Sequence, residues 1–289
     1  MKLYAPKYYQ NFICIADQCK HSCCIGWEID VDDNALRKYR SLDNNYKTEI
    51  LESIDFSDTP HFKLKENERC TYLDENGLCK LIKNVGEEYL CDICREHPRF
   101  YNFTNHGKEV GLGMSCEEAC RIILNNDDFD HIISVGEVPG EPDILEFDAT
   151  KERERVFKIL KDNEFSFEEK MGYMRDYYDL YIDIERVSDI LNSLEYLDKS
   201  HKDLFSKFQL EKYDPKCEMK LTRALAYFVY RHCSEAEDFD EFAISLSFAI
   251  LCTYLIASIS NEENIDDMAR IVSEEIEYST DNIELLKFI

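Results

Sequence analysis

Positive charge is scarce in this sequence: 34 lysines and arginines stand against 60 aspartates and glutamates, a net charge of −26 over 289 residues. A surface of that sign repels phosphate backbones, which argues against nucleic acid as a partner. It suits a basic or lysine-bearing partner, or simply serves solubility. The amino terminus lacks the apolar core and small-residue cleavage site of a secretion signal. The longest uncharged stretch, residues 242–261, is long enough to span a bilayer. However, Ser245, Ser247, Thr253, Tyr254, Ser258 and Ser260 interrupt it, and acids rather than basic anchors flank it. The expectation is a buried core helix in a cytoplasmic protein with no transmembrane span; peripheral membrane association and oligomeric state are left open. Also missing are a Gly-x-Gly-x-x-Gly strand–helix turn, a Walker phosphate loop and the Cys-x3-Cys-x2-Cys triplet of radical enzymes. There is no internal repeat and no low-complexity segment.

What the chain has in abundance is cysteine. Of its thirteen, ten fall between Cys14 and Cys120. In a reducing compartment stable disulfides are disfavoured, and dense thiols point to metal. The spacings are Cys14-x4-Cys19-x3-Cys23-Cys24, then Cys70-x8-Cys79-x11-Cys91-x2-Cys94, then Cys116-x3-Cys120. A Cys-x2-Cys pair brings two thiolates to one ion from a tight turn, and Cys-x3-Cys does so from one helix face. Adjacent Cys23 and Cys24 point apart in regular structure, so they suit a polynuclear cluster, two sites, or one ligand and one support. Tetrahedral zinc and a thiolate-held iron–sulfur cluster both fit, and spacing does not choose between them. His21 and His97 stand close enough in sequence to complete a zinc site, though an ordinary surface or core role is the simpler reading of each. Cys217, Cys233 and Cys252 sit in helical patterns and read as small buried hydrophobes.

The stretch Gly136-Glu-Val-Pro-Gly-Glu-Pro-Asp143 cannot continue a helix. It divides the chain into a cysteine-rich metal- or cluster-binding part over 1–136, a linker over 137–149 and a helical domain over 150–289. The expected fold is mainly α: short irregular elements around metal, followed by an all-α helical bundle. Ser166 and Glu169 form a capping-box pattern, opening a helix with Met171, Met174, Tyr178 and Tyr181 along one stripe. Asp214 before Pro215 reads as a helix start. Leu221, Leu225, Phe228 and His232 mark one helix face behind it. The tyrosine-rich run over 173–181 reads as core and interface rather than a binding box.

At Phe12-Ile-Cys14, Cys19-Lys-His-Ser-Cys23-Cys24-Ile-Gly-Trp27-Glu-Ile-Asp30, Cys70-Thr-Tyr-Leu-Asp-Glu-Asn-Gly-Leu-Cys79, Gly86-Glu-Glu-Tyr-Leu-Cys91-Asp-Ile-Cys94-Arg-Glu-His-Pro-Arg99 and Ser115-Cys116-Glu-Glu-Ala-Cys120-Arg121, the sequence resembles the bacterial flagellin lysine-N-methylases. These are related to the wider "CxxCxxCC" zinc- or iron-chelating proteins. The similarity is specific over roughly residues 10–125; farther on, Ala226-Tyr-Phe-Val-Tyr-Arg231 resembles an aromatic helix of the family. The resemblance implies a methyltransferase that moves a methyl group from S-adenosyl-L-methionine to lysine side chains of flagellin, dependent on a [4Fe–4S] cluster. Zn2+ is the alternative metal. The implied metal ligands are Cys14, Cys19, Cys23, Cys24, Cys70, Cys79, Cys94 and Cys116, with Cys91 and Cys120 ranked lower.

Methyl transfer requires a neutral lysine amine, because an ammonium has no lone pair, so a base or desolvation is needed. Glu28 and Asp30 are the candidate catalytic carboxylates. Trp27 is a candidate cation–π partner for the methylsulfonium, and Arg95 and Arg99 are candidates for the cofactor's carboxylate. Each also has an ordinary reading, as an anchoring tryptophan, solvated acids and surface ion pairs. A non-enzymatic zinc- or iron–sulfur-binding protein, acting as redox sensor or interaction module, is the alternative function.

Overall fold

The helical patterns of the second half become helices for local reasons that can be followed residue by residue. In the computed structural model, residues 1–43, 45–142 and 145–287 are described. Ser166 accepts a hydrogen bond from the Glu169 amide while the Glu169 carboxylate reaches back to the Ser166 amide, a complete capping box for the helix Phe167–Tyr178. Asp214 caps the short turn at Pro215–Cys217, which leads into the helix Glu218–His232. From Ala149 onward the described elements are all helical, and the protein as a whole is mainly α.

The long apolar helix Phe239–Ile259 has the length and composition to cross a membrane, but 72% of its apolar window is buried inside the protein, as in a core helix. It pairs with Glu218–His232 at the centre of a large core. Cys217, Cys233 and Cys252 are buried there as expected. Leu221, Leu225 and Phe228 are buried on one face, with His232 nearly so. Met171, Met174 and Tyr178 also face the core, but Tyr181 does not continue their stripe. Asp179 takes a left-handed conformation (φ 51°) that ends the helix and leaves Tyr181 exposed.

The expected division at residues 136 and 150 differs from the units the chain forms. One unit comprises Met1–Ile13 together with Pro98–Ile289, and the other Cys14–His97. The reason is strand pairing. Lys2–Pro6 lies parallel to Gly107–Leu112 and antiparallel to Ile132–Glu137, and Arg99–Thr104 completes a four-stranded sheet. That sheet draws the amino terminus and residues 98–137 into the helical unit. Glu137, placed in the expected linker, is the last residue of a strand. Farther along, the Asn105 side chain donates to the carbonyls of Leu145 and Phe147; residues 143 and 144 of that linker lie outside the described residues.

The Cys14–His97 unit has the short elements expected of it. Ile54–Asp55, His61–Phe62 and Ile29–Asp30 form a small antiparallel sheet, and Leu64–Lys65 pairs with Arg69–Cys70. The helix Asp33–Ser41 lays Ala35, Leu36 and Tyr39 into a core with Ile29, Ile50, Ile54, Phe62, Tyr72 and Leu81.

Candidate functional site: a thiol core in the Cys14–His97 unit

Five thiols meet in this small core. Cys70 and Cys91 are buried within it, and Cys24, Cys79 and Cys94 pack against it. Three local devices bring them there. Cys70 donates its backbone amide to the Cys24 carbonyl at 2.9 Å, fastening the Cys23–Cys24 loop to the strand Arg69–Cys70. Asp74 then closes a tight turn: its carboxylate accepts the amides of Asn76 and Leu78, each at 2.9 Å, and Gly77 supplies the positive φ of 77°. The turn returns the chain so that Cys79 pairs with Leu73, beside Cys70. Lys83 binds the other Asp74 oxygen at 2.7 Å, and that bond is the main cause holding the carboxyl down at about 2.

Asp32 performs the third task. One oxygen caps the helix Asp33–Ser41 through the Ala35 amide, and the other accepts the Asp92 amide at 2.8 Å. The turn carrying Cys91 and Cys94 is thereby tied to that helix. From the helix, Tyr39 donates to the Tyr89 carbonyl at 2.8 Å and lies 3.4 Å from the Cys91 sulfur. Cys79 and Cys91 each immediately precede a short helix, Lys80–Asn84 and Asp92–Glu96.

The electrostatics bind these sulfurs into one system. A hydrogen bond with Cys23, working against burial, pulls the Cys24 thiol down to about 7, with Ser22 and Arg69 adding to the effect. Burial pushes Cys70 up to about 11, and the charges of Cys24 and Cys79 push the same way. Burial also raises Cys79, which feels Cys24 and Cys91. Cys91 and Cys94 share a hydrogen bond that lowers Cys91 and raises Cys94, and Cys94 also feels the charges of Cys24 and Cys70. In such a core the thiolates disfavour one another, and a soft cation is what allows several to be ionised together. No group of three or more His, Cys, Asp or Glu side chains among the described residues stands in a ready metal-binding arrangement. The donor chemistry therefore suits a thiolate-held centre, while the side chains are packed as a thiol core.

The remaining candidates fall elsewhere. Cys14 is exposed, and Cys19 donates to the His21 carbonyl at 3.1 Å. The exposed Cys23 contributes its carbonyl to the Trp27 indole N–H at 3.0 Å, which anchors the half-buried Trp27 against the edge of the core. Glu28 is exposed, with only a 3.8 Å approach to His61, and Asp30 is exposed on the neighbouring strand. Arg95 pairs with Asp92 and Glu96. His97 ends the Asp92–Glu96 helix. Cys116 and Arg99 belong to the other unit. Cys116 precedes the helix Glu117–Leu124, and Cys120 within that helix is buried. Arg99 donates to the Tyr9 hydroxyl at 2.9 Å and lies over the Tyr9 and Phe12 rings.

Cys91, expected to rank below most of the other thiols, is fully buried in this core. Asp32, Tyr39 and Asp74 shape the site without being among the expected residues. Two of these had a legible signal: Asp32 immediately before a helix, and Asp74 opening an Asp-x-Asn-Gly turn.

Flagellar biosynthetic protein FliU of Salmonella muenchen is 30% identical over 137 residues, covering 43% of this chain and 77% of FliU. Lysine-N-methylases of Salmonella typhimurium and Salmonella choleraesuis are each 30% identical over 137 residues, again 43% of this chain but 32% of theirs. The match thus spans about a third of the length of these two enzymes. No protein-family model matches the chain, and no solved structure does.

Proposed function

Because the chain belongs to the flagellin lysine-N-methylase family, we propose that it is a protein-lysine methyltransferase acting on flagellin. In this reading S-adenosyl-L-methionine is the methyl donor and a thiolate-held [4Fe–4S] cluster the metal centre. The observation that carries the reading is the gathering of Cys24, Cys70, Cys79, Cys91 and Cys94 in one small core. Four of these five would hold the cluster. When bound, such a cluster supplies a concentrated positive centre that neutralises thiolates and organises the turns around it.

The methyl step itself is a displacement at carbon. The lone pair of a neutral lysine amine forms the new C–N bond as the C–S bond of the sulfonium breaks, releasing S-adenosylhomocysteine. The substrate ammonium must first lose a proton. In this reading the exposed carboxylates of Glu28 and of Asp30, the latter on the short strand Ile29–Asp30, would draw a lysine ammonium and accept that proton once docking excludes water. The acidic surface, with its net −26, favours a lysine-bearing protein in the same way.

Anaerobic purification followed by absorption and metal analysis tests the centre. Broad absorbance at about 400 nm with about four irons per chain is expected, and a colourless protein holding zinc would overturn the cluster. Labelled S-adenosylmethionine offered with purified flagellin tests the activity. Label on flagellin lysines is expected, and its absence with an intact centre would favour a non-enzymatic metal-binding module.

A further inference from the structure

The helical unit contains a feature that the thiol chemistry does not use. A cavity of about 500 Å³ opens between the turn at Asp127–Phe129, the end of the helix Ala149–Lys161, the start of Phe167–Tyr178 and the start of Glu218–His232. Phe129, Phe165, Leu160 and Met219 give it an apolar lining, and Lys161, Lys170, Lys216 and Arg223 make it basic within a strongly acidic protein.

Three of those cations are already engaged. Lys161 binds Asp130 at 2.9 Å, Lys216 binds Glu262 at 2.6 Å, and Arg223 binds Asp127 at 2.5 Å. The acids that line the cavity are engaged too: Asp127 by Arg223, and Glu218 by the Phe167 amide. Lys170 is different. Its residue is only 6% exposed, yet no hydrogen bond or ion pair reaches its ammonium among the described residues. Its aliphatic stem is packed away while its ammonium keeps access to the cavity, where an anion can reach it. It also sits in the first turns of the helix Phe167–Tyr178, where the helix dipole adds to the attraction for an anion.

We propose that this cavity binds a small aromatic acid, its ring against Phe129 and Phe165 and its carboxylate or phosphate on Lys170. The size suits one ring system with an anionic tail, the aromatic side chains giving the ring apolar contact beside the cation.

Titration calorimetry with indole-3-acetate and with adenosine 5′-monophosphate as probes tests this directly. Saturable one-to-one binding of at least one probe, weakening with salt, is expected; the probe that binds identifies carboxylate or phosphate as the anion. Lys170→Met keeps the aliphatic stem and should weaken that binding about tenfold, with Lys170→Arg restoring most of it. Phe165→Ala, at an exposed position on the rim, should also weaken it while leaving the fold alone. Failure of both probes to saturate overturns the proposal. So does unchanged affinity in Lys170→Met or, should that variant not fold, in Phe165→Ala.

Discussion

Glu277 is the point at which the helical unit can be most sharply tested. Its side chain is fully buried, with Arg231 at 3.2 Å and His232 at 2.6 Å. The Tyr227 hydroxyl donates to it at 2.7 Å, and Ser273 donates as well. Burial alone would raise this carboxyl, but Arg231 and the hydrogen bonds from His232 and Ser273 outweigh it and hold it below the usual glutamate range. Glu277→Ala therefore leaves a buried guanidinium and several donors without an acceptor. Breaking a buried ion pair from one side costs about 3–5 kcal/mol. For a unit of this size, melting falls by about 2–4 °C per kcal/mol, so the variant should melt about 6–20 °C lower. Thermal and urea unfolding followed by helical circular dichroism measure it. The double variant Glu277→Leu with Arg231→Met should recover part of the loss, since neither charge is then stranded. A single-variant loss under about 1 kcal/mol, or strictly additive behaviour in the double variant, would refute the network as a stabilising unit.

Burial holds the His232 imidazole below its usual range. Below about pH 6.5 the unfolded chain accordingly takes up a proton that the folded chain refuses, and stability should fall with acid. Glu277 adds to that fall below about pH 4.3, and His232→Gln should flatten the upper part of a stability–pH curve measured in urea. His201 has the opposite sign: its hydrogen bond to Glu275, opposed by burial, raises it. Its contribution should be complete below about pH 6.5, vanish as pH rises through the folded value, and be absent in Glu275→Gln. Gly107 has φ +145°, and a Cβ there would stand 2.5 Å from the Lys2 carbonyl oxygen. Gly107→Ala should cost about 1–3 kcal/mol by urea unfolding, and a neutral result would contradict the strand pairing. Stripping metal from the anaerobically purified protein should speed amide exchange in residues 14–97 while leaving the helix Glu218–His232 protected; equal loosening of both would contradict a centre confined to the thiol core.

The helical half was legible because its signals are local. A capping box, an Asp-Pro start and apolar stripes each act within a few residues, and each reappears where the sequence placed it. Tyr181 was misplaced because a left-handed Asp179 carries no strong signature in a run of aromatic and acidic residues. The unit boundary was not legible because it depends on Lys2–Pro6 finding partners more than a hundred residues away, and strand pairing at that distance leaves no local mark. At the site, the crowding of thiols was visible in the spacing, but their division was not. Cys116 and Cys120 have the spacing of two residues on one helix face and looked like a ligand pair, but Cys116 stands just before the helix. They lie in the helical unit, where Cys120 has become part of the apolar core.

A unit of roughly 80 residues has little apolar area to spare, and each interior position counts heavily toward its stability. A leucine or isoleucine at Cys70 or Cys91 would bury more carbon than a thiol does. Sulfur at five neighbouring interior or half-buried positions thus forgoes hydrophobic stabilisation that a small unit needs. It also brings together groups whose ionised forms repel one another: beside burial, the charges of neighbouring thiols push Cys70 and Cys79 up. The helical unit behaves differently: Cys217, Cys233 and Cys252 are scattered singly among large side chains, where a small hydrophobe merely fills space. Packing alone accounts for those three. It does not account for the five, because nothing in the packing of a small core favours concentrating its thiols, whereas the proposed soft cation or cluster would.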